Sequence, residues 1–184
     1  MKTIWIDAGH GGKDCGAVNK NLNLLEKDLT LMLAKEVEKQ LKQRGINVVM
    51  TRNNDITKSY IERYKAENRN KCDLAISIHL NSCGKENSAT GTEVWIHSRA
   101  TAKTMNFGKE LVLGITQVDG LKSRGVKKGY PTNANADFWC NRLTKSMSAL
   151  VEVCFVNNDA DARNFMKKYK EYGAAISNVC VNFL

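Results

Sequence analysis

Runs of aliphatic and β-branched residues alternate with amphipathic, helix-like segments along most of this sequence. Such alternation is typical of parallel strands joined by crossover helices, so it predicts an α/β fold. We expect a twisted, mostly parallel sheet of about six strands flanked by about five helices. The length of 184 residues fits one ordinary domain, and no linker or repeat divides the chain. We therefore predict a single domain over residues 1–184.

The longest amphipathic segment places Leu29, Leu33 and Val37 on one face and stops at Gly45, a residue type common after helix ends. The same periodicity predicts helices at Lys27–Arg44, Lys58–Arg69, Thr101–Thr116, Asp159–Lys167 and Glu171–Phe183. Strand-like runs predict strands at Thr3–Asp7, Asn47–Thr51, Asp73–His79, Thr92–His97, Phe138–Leu143 and Ala149–Phe155.

The stretch from Gly120 to Asp137 shows neither a helical nor a strand period. It contains several glycines and Pro131, the one proline of the chain. A connection of this length inside a compact domain is usually functional. We interpret it as a loop that forms a lid or one wall of a binding site; the alternative is a secondary-structure element that the pattern does not reveal.

Composition limits the classes of protein to consider. The six cysteines form no C-x-x-C pair, which argues against a disulfide scaffold or a zinc ribbon and favours reduced, mostly buried thiols. The formal net charge of +9 favours a polyanionic partner without choosing one. No apolar window approaches the ~18 residues of a membrane span, and the first residues carry no signal peptide pattern. We expect synthesis in the cytoplasm and no membrane insertion.

Two of the three histidines follow strand-like runs. His10 follows the first strand within Asp7–Gly12, and His79 ends another within Leu74–Ser82. In open α/β sheets, ligands bind at the carboxyl ends of the strands, so both side chains are expected at one edge. A phosphate site is disfavoured because the usual glycine-rich phosphate motifs are missing. A metal site is the better interpretation, although either histidine taken alone could be structural.

Two glutamates complete the pattern. Glu26 opens the long helix and projects toward the same edge, where the helix dipole alone could also account for it. Two imidazoles and one carboxylate, with a position left for water, form a known catalytic zinc set. Glu152 interrupts an apolar run typical of a buried strand, where a charge is costly unless it is paired or functional. A general base beside a metal explains it better than a salt bridge does.

At these residues the sequence resembles the zinc N-acetylmuramoyl-L-alanine amidases often called amidase 3. Members of that family carry an Asp-Pro-Gly-His-Gly-Gly type motif, a glutamate opening the first long helix, a Ser-x-His-x-Asn segment and a Val-Glu-x-Gly-Phe strand. The matching positions here are Asp7–Gly12, Glu26, Ser77–Asn81 and Val151–Phe155. The departures are Ala8, Cys15 and Cys154, and none of them removes a ligand.

The resemblance implies a single α/β catalytic domain with one Zn²⁺ ion held by His10, Glu26 and His79, and with Glu152 as general acid/base. The implied reaction is hydrolysis of the amide between N-acetylmuramic acid and the L-alanine that begins the stem peptide. Asn81 and the segment Arg124–Lys127 are expected to line the substrate groove.

Bacterial peptidoglycan is the partner that the resemblance implies, with anionic wall polymers as a second expected partner. We predict that the chain does not bind nucleic acid, because its basic residues are not clustered with aromatic ones. We also predict a monomer. Without a signal peptide, the expected setting is a phage endolysin module released through holin pores. An exported autolysin that lacks its signal and anchoring parts is the alternative.

Other interpretations remain open at this point. A zinc carboxypeptidase-type peptidase could use the same ligands, and a non-catalytic basic module could bind the wall through charge alone. His97 lacks the glycine or asparagine context of the other histidines and is interpreted as structural. Cys15 and Cys83 are minor candidates for soft zinc ligands.

Overall fold

The computed structural model describes residues 1–133 and 136–184. Its centre is a six-stranded sheet with the strand order β4-β1-β5-β8-β6-β7, and β2 and β3 form a separate small hairpin. The strands are β1 Thr3–Ala8, β2 Val18–Asn19, β3 Leu24–Leu25, β4 Asn47–Met50, β5 Leu74–Asn81, β6 Thr92–Ile96, β7 Ser123–Lys128 and β8 Met147–Phe155.

The predicted mostly parallel sheet is confirmed. In the six-stranded sheet, β4, β1, β5 and β8 run parallel, β6 and β7 run parallel to each other, and β6 pairs with β8 antiparallel. The carboxyl ends of β1, β5 and β8 therefore meet at one edge of the sheet, and antiparallel β6 begins at that edge. The residues that follow or end these strands are brought together there, as expected for an open α/β sheet.

Five helices lie within the described residues, and they cover both faces of the sheet. Helices α1, α3 and α5 pack on the face that carries Ile4, Ile6 and Ile76, while α4 packs on the face that carries Trp5 and Ala75. No helix in the described part of the chain is long and apolar enough to cross a membrane. The helices are α1 Glu26–Lys42, α2 Tyr60–Asn70, α3 Ala102–Asp119, α4 Trp139–Leu143 and α5 Asp159–Asn182.

The predicted strand Phe138–Leu143 is wrong, because this segment forms helix α4 after Phe138. Its aromatic residues gave it strand propensity, but they cover the sheet instead of joining it: the Trp139 ring meets the Trp5 ring edge-on at 6.2 Å. Helix α4 is also tied to strand β6, because Asn141 Nδ2 donates to the Trp95 carbonyl at 2.9 Å. Contacts distant in sequence have overridden the local propensity.

The predicted loop Gly120–Asp137 is partly wrong, because it contains the edge strand β7. This strand was missed because its lysines and Gly125 are depleted in strands, and Gly125 has a φ of 78°. The remainder of the segment is a connection with a turn at Tyr130–Asn133. Ala134 and Asn135 belong to the predicted loop and lie outside the described residues.

The two predicted C-terminal helices are one continuous helix, α5. Gly173 lies inside it where α5 packs against α1: a Cβ at this position would meet Glu36 Cγ at 2.7 Å. This glycine therefore permits close helix packing and does not end the helix.

Candidate metal centre and active site

Three side chains from separate parts of the chain meet at the carboxyl edge of the sheet. One ligand atom from each of His10, Glu26 and His79 lies within 4.8 Å of the other two. Glu26 Oε1 is 3.0 Å from His10 Nε2 and 3.2 Å from His79 Nδ1. The structure thus brings together all three residues that the sequence pointed to as metal ligands.

His10 sits in a tightly held turn after β1, with a φ of 60°. Arg63, from α2, donates from Nη2 to the His10 carbonyl at 2.6 Å and from Nη1 to the Ala8 carbonyl at 2.8 Å. The ring is oriented by Asp14, whose Oδ2 lies 2.9 Å from His10 Nδ1. A carboxylate on the outer nitrogen of a histidine fixes its ring orientation and raises its basicity as a ligand.

Glu26 is the first residue of α1 and is only 4% exposed. Its Oε2 accepts a hydrogen bond from Ala17 N at 2.9 Å, and its Oε1 accepts one from Leu80 N at 3.0 Å. Two backbone donors therefore hold this carboxylate toward the imidazoles. The dipole of α1 also favours a negative charge at its first turn, so the helix and the candidate ligand support each other.

The electrostatics of the three residues favour a bound cation. Burial acts to raise the pKa of Glu26, but hydrogen bonds from the two imidazoles hold the pKa well below its usual range. Burial acts to lower the pKa of His79, but the hydrogen bond to Glu26 and its negative charge raise the pKa to about 9. The two imidazoles thus stabilise the charged form of the Glu26 carboxylate, and a negative charge beside two imidazole nitrogens suits a cation.

Glu152 lies beside the three residues, because its position on β8 is paired in register with His79 on β5. Its Oε2 is buried without a hydrogen-bond partner, and no lysine or arginine of the described chain forms an ion pair with it. The salt-bridge alternative therefore finds no support. Burial raises the pKa of Glu152 to about 7, a value suited to proton transfer near neutral pH.

A second buried carboxylate, Glu93, faces Glu152 across β6 and β8. Its Oε1 accepts from Asn81 Nδ2 and from Trp95 Nε1, each at 3.0 Å. Its Oε2 accepts from Arg124 Nε at 2.8 Å. Both oxygens of Glu93 therefore have hydrogen-bond partners, whereas Oε2 of Glu152 has none among the described residues.

The four side chains share a cavity of about 500 Å³, which we call the catalytic cavity. Asn81 lines it as expected, whereas Arg124 is paired with Glu93 and none of residues 124–127 is among its described lining residues. One wall comes from the end of the segment predicted as a lid or wall and from the adjoining α4. This wall consists of Tyr130, Asp137, Phe138, Trp139 and Arg142.

The remaining sequence candidates lie outside the metal group. His97 Nε2 is 3.4 Å from Asp137 Oδ2, and its Nδ1 accepts from Arg99 N. Cys15 and Cys83 bond to neighbouring carbonyls, and neither belongs to the cluster of candidate ligands in the described residues. None of the six cysteines, all within the described residues, forms a disulfide, and four of them are buried.

Sequence reasoning missed the residues that hold in place the loop after β1 that carries His10, which we call the metal loop. Asp7 is fully buried, pairs with Arg63 Nη1 at 2.7 Å and accepts from Ser77 Oγ at 2.6 Å. Arg52 donates from Nε to the Ala8 carbonyl and from Nη2 to the Gly9 carbonyl. The arginines come from distant parts of the sequence, so no local signal marked them; only Asp7 stood next to the glycine motif.

Gly9 leaves the space that the His79 ring occupies. A Cβ at this position would overlap three atoms of that ring, so Gly9→Ala is expected to displace His79. We predict a fall in metal affinity of about 10–100-fold, the range seen when ligand orientation is disturbed. Competition titration with a chelating indicator measures it. Gly84→Ala, where a Cβ meets nothing within 4 Å, is the control, and equal affinity in both variants would contradict the assignment.

The chemistry of the three donors fits a divalent metal ion. Two imidazole nitrogens and one carboxylate oxygen match three-ligand catalytic zinc sites, which leave further positions for water and substrate. Carboxylates and imidazoles also accept other first-row ions, so the donor set defines the class of metal and not the element.

Named proteins resemble this chain over most of its length. The amidase LytC of Bacillus subtilis is 32% identical over 94% of this chain, which spans 33% of LytC. The endolysin of Bacillus phage SPP1 is 31% identical over 88% of this chain, which spans 57% of that protein. The chain thus corresponds to one part of these longer relatives.

A solved structure and a family model agree with this result. The crystal structure of an N-acetylmuramoyl-L-alanine amidase from Clostridium difficile 630 superposes with a TM-score of 0.90 at 29% identity, covering 99% of this chain and 96% of that one. The family model Amidase_3, described as N-acetylmuramoyl-L-alanine amidase, matches residues 4–180. This chain therefore belongs to the Amidase_3 family of N-acetylmuramoyl-L-alanine amidases.

Proposed function

We propose that this chain hydrolyses the amide between N-acetylmuramic acid and the L-alanine of the peptidoglycan stem peptide, with one Zn²⁺ ion held by His10, Glu26 and His79. The observation that carries the proposal is the convergence of these three donors within 4.8 Å, in a cavity that also contains Glu152. Residues 1–184 would act as a single catalytic domain.

His10, Glu26 and His79 would hold a zinc ion, which when bound would lower the pKa of a water molecule and polarise the scissile carbonyl. The chain itself supplies the proton transfer. The carboxylate of Glu152, which lines the catalytic cavity, would accept the proton of the attacking water and deliver a proton to the leaving nitrogen. Asp14, at the outer nitrogen of His10, keeps that imidazole oriented.

The walls of the catalytic cavity orient the substrate. Phe138 and Trp139 offer apolar surface to the methyl groups of the lactyl and alanyl units. The Asn81 amide is held by Glu93, which leaves it fixed at the edge of the cavity. These fixed groups would hold the amide carbonyl and Glu152 in a reactive geometry.

The relatives support this reaction and leave its setting as a prediction. LytC is named an amidase and the SPP1 protein an endolysin, so both a bacterial and a phage setting agree with the proposal. Release through a holin pore, binding to anionic wall polymers and a monomeric state remain predictions from the sequence.

Digestion of purified peptidoglycan tests the proposed bond. The amidase reaction leaves free lactyl carboxylates on muramic acid and new alanine amino groups, both of which mass spectrometry and amine labelling detect. New ends within the stem peptide would instead identify a peptidase that uses the same ligands. Heat-treated enzyme is the control for carried-over activity.

A further inference from the structure

A second polar pocket of about 380 Å³ lies beside the catalytic cavity, and Arg142 lines both. We call it the side pocket. His97 and Arg99 also line it, and no carboxylate is among its described lining residues. The nearby carboxylate of Asp137 accepts hydrogen bonds from the Ser98 amide and hydroxyl. The His97 imidazole lies beside Asp137, at 3.4 Å from its Oδ2, but the two guanidinium groups have no such acid, which favours an anionic ligand.

The two arginines are available for a ligand. Both are exposed, and neither side chain forms a hydrogen bond or ion pair within the described residues. Arg63, by contrast, is committed to Asp7 and to backbone carbonyls. A free guanidinium beside a cavity is suited to two-point binding of a carboxylate.

Asn141 lies in the lining of the side pocket and offers an unused acceptor. It is 4% exposed, and its Nδ2 donates to the Trp95 carbonyl at 2.9 Å. Its Oδ1 is buried without a partner among the described residues. An unsatisfied buried acceptor is costly, and a peptide N–H in the side pocket would satisfy it once a small movement of the Asn141 side chain exposes this oxygen.

The separation of the two cavities suits an extended peptide. Ser148 lines the side pocket and Glu152 lines the catalytic cavity, and the two residues are four positions apart on β8. At about 3.3 Å per residue the separation along the strand is roughly 13 Å. An extended peptide of about four residues covers that distance.

We propose that the side pocket is a specificity subsite for the stem peptide, in which Arg99 and Arg142 bind a carboxylate of that peptide and Asn141 accepts one of its N–H groups. The inference rests on the proposed function and adds the direction of the substrate. The peptide runs from the scissile amide past Arg142 into the side pocket, and the sugar lies on the other side of the metal centre.

A binding experiment tests the subsite without relying on hydrolysis. The free stem peptide, which is the proposed product, is titrated into the metal-loaded protein by calorimetry, once with its carboxylates intact and once with them converted to carboxamides. We expect at least about tenfold tighter binding of the carboxylate form, as for one lost charge-assisted bond pair. Arg99→Gln and Arg142→Gln should reduce this difference toward none, while Arg44→Gln, an exposed arginine following α1, should keep it.

A kinetic experiment complements it. With soluble muramoyl-peptide substrates in the same two forms, the parent's ratio of kcat/KM should favour the carboxylate form, and both arginine variants should bring the ratio toward one. Equal binding of the two peptides by the parent, or discrimination that survives in both variants, would overturn the subsite. Discriminating binding without any amide hydrolysis would instead refute the proposed function and leave the subsite standing.

Discussion

Glu152→Gln is expected to lower kcat on peptidoglycan by about 10²–10⁴-fold, the usual contribution of a general acid/base. Glutamine keeps the size of the side chain but cannot accept and return a proton. The fold should persist, because Glu152 Oε2 makes no hydrogen bond and Glu152 no ion pair that the substitution would break. The appearance of free lactyl carboxylates on muramic acid measures the rate. Circular dichroism measures the fold of the variant, and metal analysis measures its bound metal.

Glu86→Gln is the matched control, because Glu86 is an exposed glutamate in a loop. It should lyse walls at the parent's rate. Lysis by Glu152→Gln at that same rate would contradict the catalytic role and would favour a basic module that disturbs the wall through charge. Loss of bound metal from Glu152→Gln, at unchanged fold, would place this carboxylate among the ligands instead.

Asp7→Ala is expected to reduce the free energy of unfolding by about 3–5 kcal/mol, the typical result of removing one partner from a buried ion pair. Asp7 is fully buried, and its loss leaves the Arg63 guanidinium without a counter-charge. Because Arg63 also holds the His10 carbonyl, metal affinity should fall as well. Urea unfolding of the metal-free protein separates the stability effect from metal binding.

Glu38→Ala provides the comparison for Asp7→Ala. It removes a surface ion pair with Lys42, whose side chain is 58% exposed. The free energy of unfolding should fall by no more than about 1 kcal/mol. A cost for Asp7→Ala as small as this would mean that the buried pair does not hold the metal loop.

The sequence predicted best those elements whose identity depends on their own residues. Strand β5 is apolar along most of its length and is buried on both faces, so its pattern was unmistakable. The candidate ligands were found for a related reason. His10 follows β1 and His79 lies near the carboxyl end of β5, and parallel strands have their carboxyl ends at the same edge of the sheet. Glu152 was conspicuous because a charge interrupts an apolar strand.

Other features depend on contacts that no local pattern reveals. Helix α4 resembled a strand because Phe138 and Trp139 are strand formers, yet they cover the sheet face around Trp5. Strand β7 looked like a loop because its place at the edge of the sheet tolerates lysine and glycine. Arg63 lies more than 50 positions from the loop it holds, since its partners Asp7 and His10 are at the start of the chain.

Anomalous diffraction at the zinc absorption edge, on crystals of protein purified without chelators, tests the central claim most directly. The account predicts one peak about 2.0–2.2 Å from a nitrogen of His10, a nitrogen of His79 and a carboxylate oxygen of Glu26, with Glu152 facing it across the cavity. No peak among these three side chains after zinc is supplied, or a peak bound to Cys15 or Cys83, would contradict it.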